Sequence, residues 1–350
     1  MENEYNDQFA DYLGTSEIDF SKITTNFDYR TTRYYSDLIR KHLDEGNTEV
    51  AMSLLRSVLP DTREIIISGD VEDGVGENQT ANGNPFISQF YDNRILLLLN
   101  NRCPLYCRYC FRRSKLGPNQ PELTVNDIDA TMREVHKMIN ISGSNINEIV
   151  ISGGEPLMLG KVKLRRIMAA IEKMPQIRGI RFDTKMLAVN PGIITELFLK
   201  QIQTGKSLRF VNHFIHSTEI TEIVAEKIKL LSQNNIQIAA HIPILNGIND
   251  TYPVIKDLVE NLYFNGIQPY YLIHYIPTKW TEHFRIPLVK SLQIFLKLKR
   301  SVSGLALPAL IVYLPDGSGK AIISDEDDLK KVSGGYLLCN TKGDKVFYEE

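Results

Sequence analysis

Three cysteines, Cys103, Cys107 and Cys110, fall within eight residues at the spacing C-x3-C-x2-C. Three thiolates on one loop can hold three irons of a cubane four-iron cluster and leave the fourth iron without a protein ligand. Such an open iron can bind the amino and carboxylate groups of a small molecule, a corner that a fourth thiolate would close in an electron carrier. The plainer alternatives are a structural zinc and three reduced thiols with no ligand. Zinc takes four ligands, usually from two paired motifs, and no second Cys or His pair lies at suitable spacing. Four cysteines in 350 residues do not make a disulfide framework. The fourth, Cys339, reads as a small buried apolar residue.

The elements around the cysteines must position them. Apolar runs at 94–100, 148–152, 179–183, 208–214, 237–245, 269–275 and 307–314 read as strands. Amphipathic stretches at 125–139, 162–173, 191–200, 219–232, 251–261 and 289–302 read as helices between them. Near-continuous apolar strands alternating with helices predict a parallel sheet covered on both faces. The expected fold class is α/β, a partial (β/α)6-type TIM-like barrel, with its chemistry at the C-terminal strand ends. Helical periodicity at 34–43 and 47–59, then a Gly/Asn/Asp-rich loop at 69–85, predicts an N-terminal helical and irregular extension over 1–90. A barrel over 91–320 and a short C-terminal segment over 321–350 complete the expected organisation.

A net charge of −2 points to neither nucleic acid nor an anionic membrane as an obligatory partner. Residues 1–11 are polar and acidic, without the basic and apolar regions of a signal peptide, and the run 95–99 is too short to span a bilayer. Asn78-Gln79-Thr80 then reads as a chance glycosylation match, and a cytoplasmic location is the expectation.

The cysteine spacing directly after the first strand resembles the radical S-adenosylmethionine superfamily. Tyr109 fits that resemblance as the aromatic residue before the third cysteine. Ile151-Ser152-Gly153-Gly154-Glu155-Pro156, after the next strand, resembles the superfamily's contact to the methionine amino group. Bare Gly153 and Gly154 permit close backbone approach, and Glu155 can accept from an ammonium, although a plain turn would look the same. The resemblance implies a [4Fe-4S] cluster on Cys103, Cys107 and Cys110 and reductive cleavage of S-adenosylmethionine to a 5′-deoxyadenosyl radical.

Further stretches resemble the lysine 2,3-aminomutase family over roughly residues 75–320. They are Val75-Gly76-Glu77, Tyr91 with Arg94, Cys110-Phe111-Arg112-Arg113, Gln268-Pro269-Tyr270-Tyr271-Leu272, His283-Phe284-Arg285 and Gly317-Ser318-Gly319-Lys320. The resemblance implies pyridoxal phosphate as a second cofactor, with Lys320 forming a Schiff base from a flexible turn. Arg94 would bind the phosphate and Tyr91 would pack on the pyridine ring. Arg112 would grip the substrate carboxylate with its fork, while Arg113 serves structure. The plainer reading of each is a solvated lysine, a loop-end arginine and a core tyrosine. The implied reaction moves an α-amino group to the β-carbon. The implied partners are a small amino-acid substrate and a reductase, flavodoxin or ferredoxin as electron donor.

The match departs from the family at telling positions. Lysine-specific members place aspartates where this chain has Ile276 and Tyr313. A substrate ammonium buried there would lack a partner, at a cost of several kcal/mol. The expected pocket suits a short, uncharged or aromatic side chain rather than free lysine. Asp316 and Ser318 interrupt a more uniformly glycine run. Asp183-Thr184-Lys185 replaces a basic, glycine-containing stretch, and His241-Ile242 stands where relatives tend to show Asn-Gln. His274 is either a satisfied core residue or a pocket residue. The chain ends shortly after Lys320, where the free-lysine enzymes carry an extension that builds their oligomer, so a homo-oligomer stays open. The alternatives are an enzyme that isomerises a lysine on elongation factor P, another pyridoxal-assisted radical reaction on a small amino acid, and a plain iron–sulfur carrier or sensor.

Overall fold

A computed structural model describes residue 23 and residues 27–65, 70–81, 83–117, 120 and 122–350. The acidic start at 1–11 and parts of the 1–90 extension and the 69–85 loop lie outside them.

Nine strands form one sheet in sequence order. β1 (Ile87–Tyr91) runs antiparallel to β2 (Arg94–Leu98). From β2 the ladder is parallel through β3 (Glu148–Ser152), β4 (Gly179–Thr184), β5 (Ser207–His213), β6 (Gln237–Pro243), β7 (Gln268–Ile273) and β8 (Ala309–Leu314). β9 (Gly319–Ile323) returns antiparallel to β8. No pairing joins β9 to β1 among the described residues, so the α/β sheet forms a partial TIM-like barrel. The sheet also runs past both expected boundaries, since β1 begins before 91 and β9 extends beyond 320. Neither flanking strand is predicted by periodicity, because each is a short partner of a β-hairpin.

Two helices, α1 (Arg33–Asp44) and α2 (Thr48–Val58), precede the barrel. The crossovers are α3 (Val125–Ile139), α4 (Gly160–Glu172), α5 (Met186–Val189) with α6 (Glu196–Ile202), α7 (Glu222–Gln233), α8 (Tyr252–Phe264) and α9 (Leu288–Lys299). Local chemistry sets their limits. The capping box of Thr124 and Asp127 starts α3, whose buried stripe Ile128, Met132, Val135 and Ile139 follows the helical period. The helix expected over 191–200 starts only at Glu196. Pro191 opens a short 3-10 turn instead, and the Thr195 hydroxyl accepts from Phe198 N to cap α6.

The outward residues of the strands, such as Ile95, Leu97, Ile180, Phe182, Phe210 and Ile238, are buried beneath the helices. Their inward neighbours are largely polar: Arg94, Arg181, Asp183, Arg209, His213, His241 and Tyr271. A three-stranded sheet, β10 (Lys330–Val332), β11 (Gly335–Cys339) and β12 (Lys345–Glu349), lies at the C-terminal end of the chain. Cys339 is exposed there, contrary to the expectation of a buried residue, because the outer face of this edge sheet is uncovered. No helix among the described residues is long and apolar enough to cross a membrane.

Candidate functional site

The cysteine loop is held by buried charges. Glu64 accepts from Arg108 Nε at 2.8 Å and from Arg113 Nη2 at 2.7 Å, and all three side chains are buried. Arg108 also donates to the Asp28 carbonyl, and its own N–H donates to the Ser57 carbonyl. Arg113 reaches the carbonyls of Arg108 and Trp280. One carboxylate therefore ties the loop to the segment before the barrel.

Gly153 and Gly154 fasten the loop from the other side. A Cβ on Gly153, at φ +110°, would sit 2.5 Å from the Asn100 carbonyl, and one on Gly154 would sit 2.5 Å from that of Arg102. Gly154 N donates to the Asn100 carbonyl and Glu155 N to the Arg102 carbonyl. The approach these glycines allow is to the protein's own backbone just before Cys103. Glu155 is likewise engaged. Its carboxylate accepts from Thr184 Oγ1 at 2.6 Å, Lys185 N at 3.0 Å and Leu157 N at 3.0 Å. Burial outweighs these bonds and pushes its pKa up to about 7.

Cys103, Cys107, Cys110, Gly153, Gly154, Glu155 and Lys185 line a cavity of about 200 Å³ at the C-terminal strand ends. The Tyr109 ring forms an inner wall, packed 5.5 Å from His213 and edge-on to Phe284. Burial pushes the Cys110 thiol up to about 11, and the neighbouring Cys107 pushes the same way. Three thiols that repel one another as anions suit a cationic group placed between them. No three His, Cys, Asp or Glu side chains among the described residues converge on a single metal ion, and the donor set fits a multi-iron group rather than zinc.

Directly below lies a chamber of about 90 Å³ that contains Lys320. Phe111, Arg112, Asp183, His241 and Tyr313 line both cavities. Lys320 is not on the flexible turn expected from sequence. It is the second residue of β9, in register with Tyr313 on β8. The preceding turn is ordered by Asp316, whose Oδ1 accepts from Ser318 N at 3.0 Å and Ser318 Oγ at 2.6 Å. The Lys320 amine lies 4.5 Å from the Tyr271 ring centroid and 5.0 Å from that of Tyr91, with no ion pair among the described residues. Burial pushes its pKa down to about 7, reinforced by the Arg94 and Arg181 guanidiniums.

Arg94 stacks 4.7 Å over Tyr91 and lies 3.8 Å from Glu148, with its head beside the lysine chamber. Arg112 has its fork on buried Glu77, at 2.8 Å from Nε, and Nη1 reaches Ser152 Oγ at 3.0 Å. Lys115 shares Glu77 at 3.1 Å. Ile276 and Tyr313 both line the upper cavity. His274 is both a core and a pocket residue: it is buried with its Nδ1 paired to Ser291 Oγ at 2.8 Å, and it lines the upper cavity. His241 lies parallel to the Tyr271 ring, and its Nε2 is buried without a partner. Burial pushes its pKa down to about 4, so the ring is neutral at pH 7.

The lumen residues Arg181, Arg209 and His213, and the buried carboxylate Glu64, escape the sequence reading. For the three strand residues the signal is a polar residue at alternate positions of otherwise apolar strands, which marks the inner face; Glu64, on a short 3-10 turn, carries no such signal.

The radical SAM superfamily pattern matches residues 97–258. The chain is 32% identical to a putative L-lysine 2,3-aminomutase of Aquifex aeolicus, over 82% of this chain and 75% of that protein. The chain belongs to the radical SAM, lysine 2,3-aminomutase-like family. Other relatives of this family member are the L-lysine 2,3-aminomutase of Fusobacterium nucleatum, 27% identical over 91% of this chain and 72% of that one, and the glutamate 2,3-aminomutase of Clostridioides difficile, 26% identical over 94% and 75%. Its chemistry is that of a radical SAM aminomutase-like enzyme, and membership implies S-adenosylmethionine and a [4Fe-4S] cluster.

Proposed function

We propose that this enzyme is a pyridoxal phosphate-dependent 2,3-aminomutase acting on an amino acid other than free lysine. The observation that carries the reading is Lys320, a buried amine with no ion pair among the described residues, in a chamber sharing one wall with the cavity of the three cysteines. Cys103, Cys107 and Cys110 would hold the cluster, and Tyr109, Gly153, Gly154 and Glu155 would frame S-adenosylmethionine. When bound, these cofactors supply a carbon radical that takes a hydrogen from the substrate, while pyridoxal phosphate supplies an aldehyde for the migrating amine.

With its pKa near 7, Lys320 Nζ holds an available lone pair at neutral pH. Tyr91 and Tyr271 enclose it and exclude water. Arg94 offers a cation for a phosphate group. Arg112 lies in the shared wall, where an incoming carboxylate would compete with Glu77 for its fork. Ile276 and Tyr313 contribute no carboxylate for a distal ammonium, and Asp183 in the same wall is already paired with Arg181 at 2.9 Å, which supports a substrate other than lysine. The electron donor would be a reductase, flavodoxin or ferredoxin.

The test is anaerobic reconstitution with product analysis across the amino acids, alongside Lys320→Ala. Loss of the absorbance of captured pyridoxal phosphate in Lys320→Ala, with iron content unchanged, is the expected result. Equal capture by both proteins, or rapid formation of β-lysine from lysine, would overturn the reading.

A further inference from the structure

The barrel is open at the end opposite the cysteines. A cavity of about 930 Å³ at the N-terminal strand ends is lined by Arg94, Arg181 and Arg209, and by a single carboxylate, Glu148. Its floor is small or neutral, with Ala239 and Gly266 among the lining residues. Two of the three guanidiniums have acids beside them: Arg94 lies 3.8 Å from Glu148, and Arg181 lies 2.9 Å from Asp183. The guanidinium of Arg209 on β5 makes no hydrogen bond or ion pair among the described residues, and it lies close to the backbone of Gly179 on the adjacent strand. Three guanidiniums against one carboxylate in a concave, partly enclosed wall focus positive potential into the opening.

The mouth also shares a wall with the lysine chamber. Arg94 and Arg181 line both cavities. Tyr270 lines the mouth and Tyr271 the chamber, although they are consecutive residues. A register irregularity between β6 and β7 at Ala240/His241 accompanies this departure from alternation. The two rings stack at 3.7 Å, and their hydroxyls are bonded at 2.7 Å, forming a partition between the compartments.

We propose that this N-terminal mouth is a docking site for small anions, with Arg209 as its recognition cation, and that it is the route by which anionic groups reach Lys320. The shared ligand chemistry is a phosphate or a side-chain carboxylate, carried by the cofactor or by an acidic amino-acid substrate. The docking claim stands on the mouth alone, and the claim of onward passage rests on the proposed function.

Two arms separate these claims. In the first, the cluster-loaded full chain is titrated calorimetrically with inorganic phosphate and with glutarate. Arg209→Gln should weaken binding about tenfold, Arg209→Lys should retain most of it, and Ala239→Glu should weaken it by placing a carboxylate in the mouth. Loss confined to phosphate assigns the site to the cofactor, and loss confined to glutarate assigns it to the substrate. Unchanged or absent binding of both anions across wild type and variants would overturn the docking site. In the second arm, stopped-flow capture of pyridoxal phosphate should slow several-fold in Arg209→Gln and lose part of its salt dependence. Capture of pyridoxal, which lacks the phosphate, should not change. An unchanged rate for the phosphate form would overturn the route. No capture by wild type would instead sink the assignment of Lys320, leaving the first arm to decide the docking site.

Discussion

Tyr313 and Lys320 are register partners across the β8–β9 hairpin, so their side chains share the inner face of the sheet. Both line the 90 Å³ chamber. A carboxylate at 313 would therefore stand beside the lysine amine and favour its charged form. Tyr313→Asp should raise the Lys320 pKa by about one to three units. The readout is the pH midpoint for pyridoxal phosphate capture, expected near 7 in wild type and displaced upward in the variant. A midpoint that stays put would show that the two side chains do not interact.

The same geometry bears on substrate choice. Ile276→Asp with Tyr313→Asp places two carboxylates in the wall of the cysteine cavity. The double variant should bind lysine at least tenfold more tightly than wild type, by supplying a partner for the distal ammonium. Equilibrium binding of labelled lysine would check this, and unchanged affinity would show that the two positions do not face the substrate side chain.

Lys320 also makes stability depend on pH. Its folded-state pKa, near 7, lies below the ordinary value of 10.5 because the chamber disfavours the charge. The unfolded chain binds the proton more readily, so stability falls as pH drops from 10.5 toward 7 and stays low below that. Lys320→Met should remove this penalty. Relative to wild type it should gain a few kcal/mol at pH 6, with the advantage vanishing above pH 10.5. Urea unfolding of the two proteins at several pH values would reveal it. A gain independent of pH would mean that packing, not charge, is responsible.

Glu64 is the joint of the cysteine loop. Glu64→Ala leaves Arg108 and Arg113 buried without their carboxylate, an effect of about 3–5 kcal/mol. Thermal unfolding should show the loss, and iron retention after gel filtration should fall with it. Full iron retention at unchanged stability would remove Glu64 from this role.

A methyl group at Gly154 would press on the Arg102 carbonyl and displace the loop that carries Cys103. Gly154→Ala should destabilise the protein by about 1–3 kcal/mol and lower iron content. Cys339→Ser, on the exposed edge of the C-terminal sheet, should leave iron content unchanged. Iron loss in that variant would contradict the assignment of the three loop cysteines as the protein's ligands.

How much of this is legible in the sequence follows from what each element depends on. Helix α3 matches its expected span because Thr124 and Asp127 cap it within the sequence. All seven parallel strands fall where continuous apolar runs place them, since outer residues such as Ile95 and Phe182 must be buried beneath helices. β1 and β9 are not legible, because short hairpin partners borrow their conformation from β2 and β8. The cysteine loop and Lys320 announce themselves by residue type and motif. Arg209 and His213 show only as polar residues at alternate positions of an apolar strand, and nothing local distinguishes the buried carboxylate of Glu64 from a solvated one. Tertiary packing alone decides that Gly153 and Gly154 admit the backbone of Asn100 and Arg102.

The consecutive compartments along the barrel axis have a consequence for how this protein can change. TIM-like barrels commonly fill their centre with interlocking side chains that contribute to stability. Here separate compartments follow one another from mouth to cysteines, divided by walls such as the Tyr270–Tyr271 pair, and cohesion resides in the outer belt where strands meet helices. Residues such as Ile276, Tyr313 and His241 can then be exchanged without dismantling that belt, and a lineage can acquire new substrates by redecorating the interior of an unaltered shell.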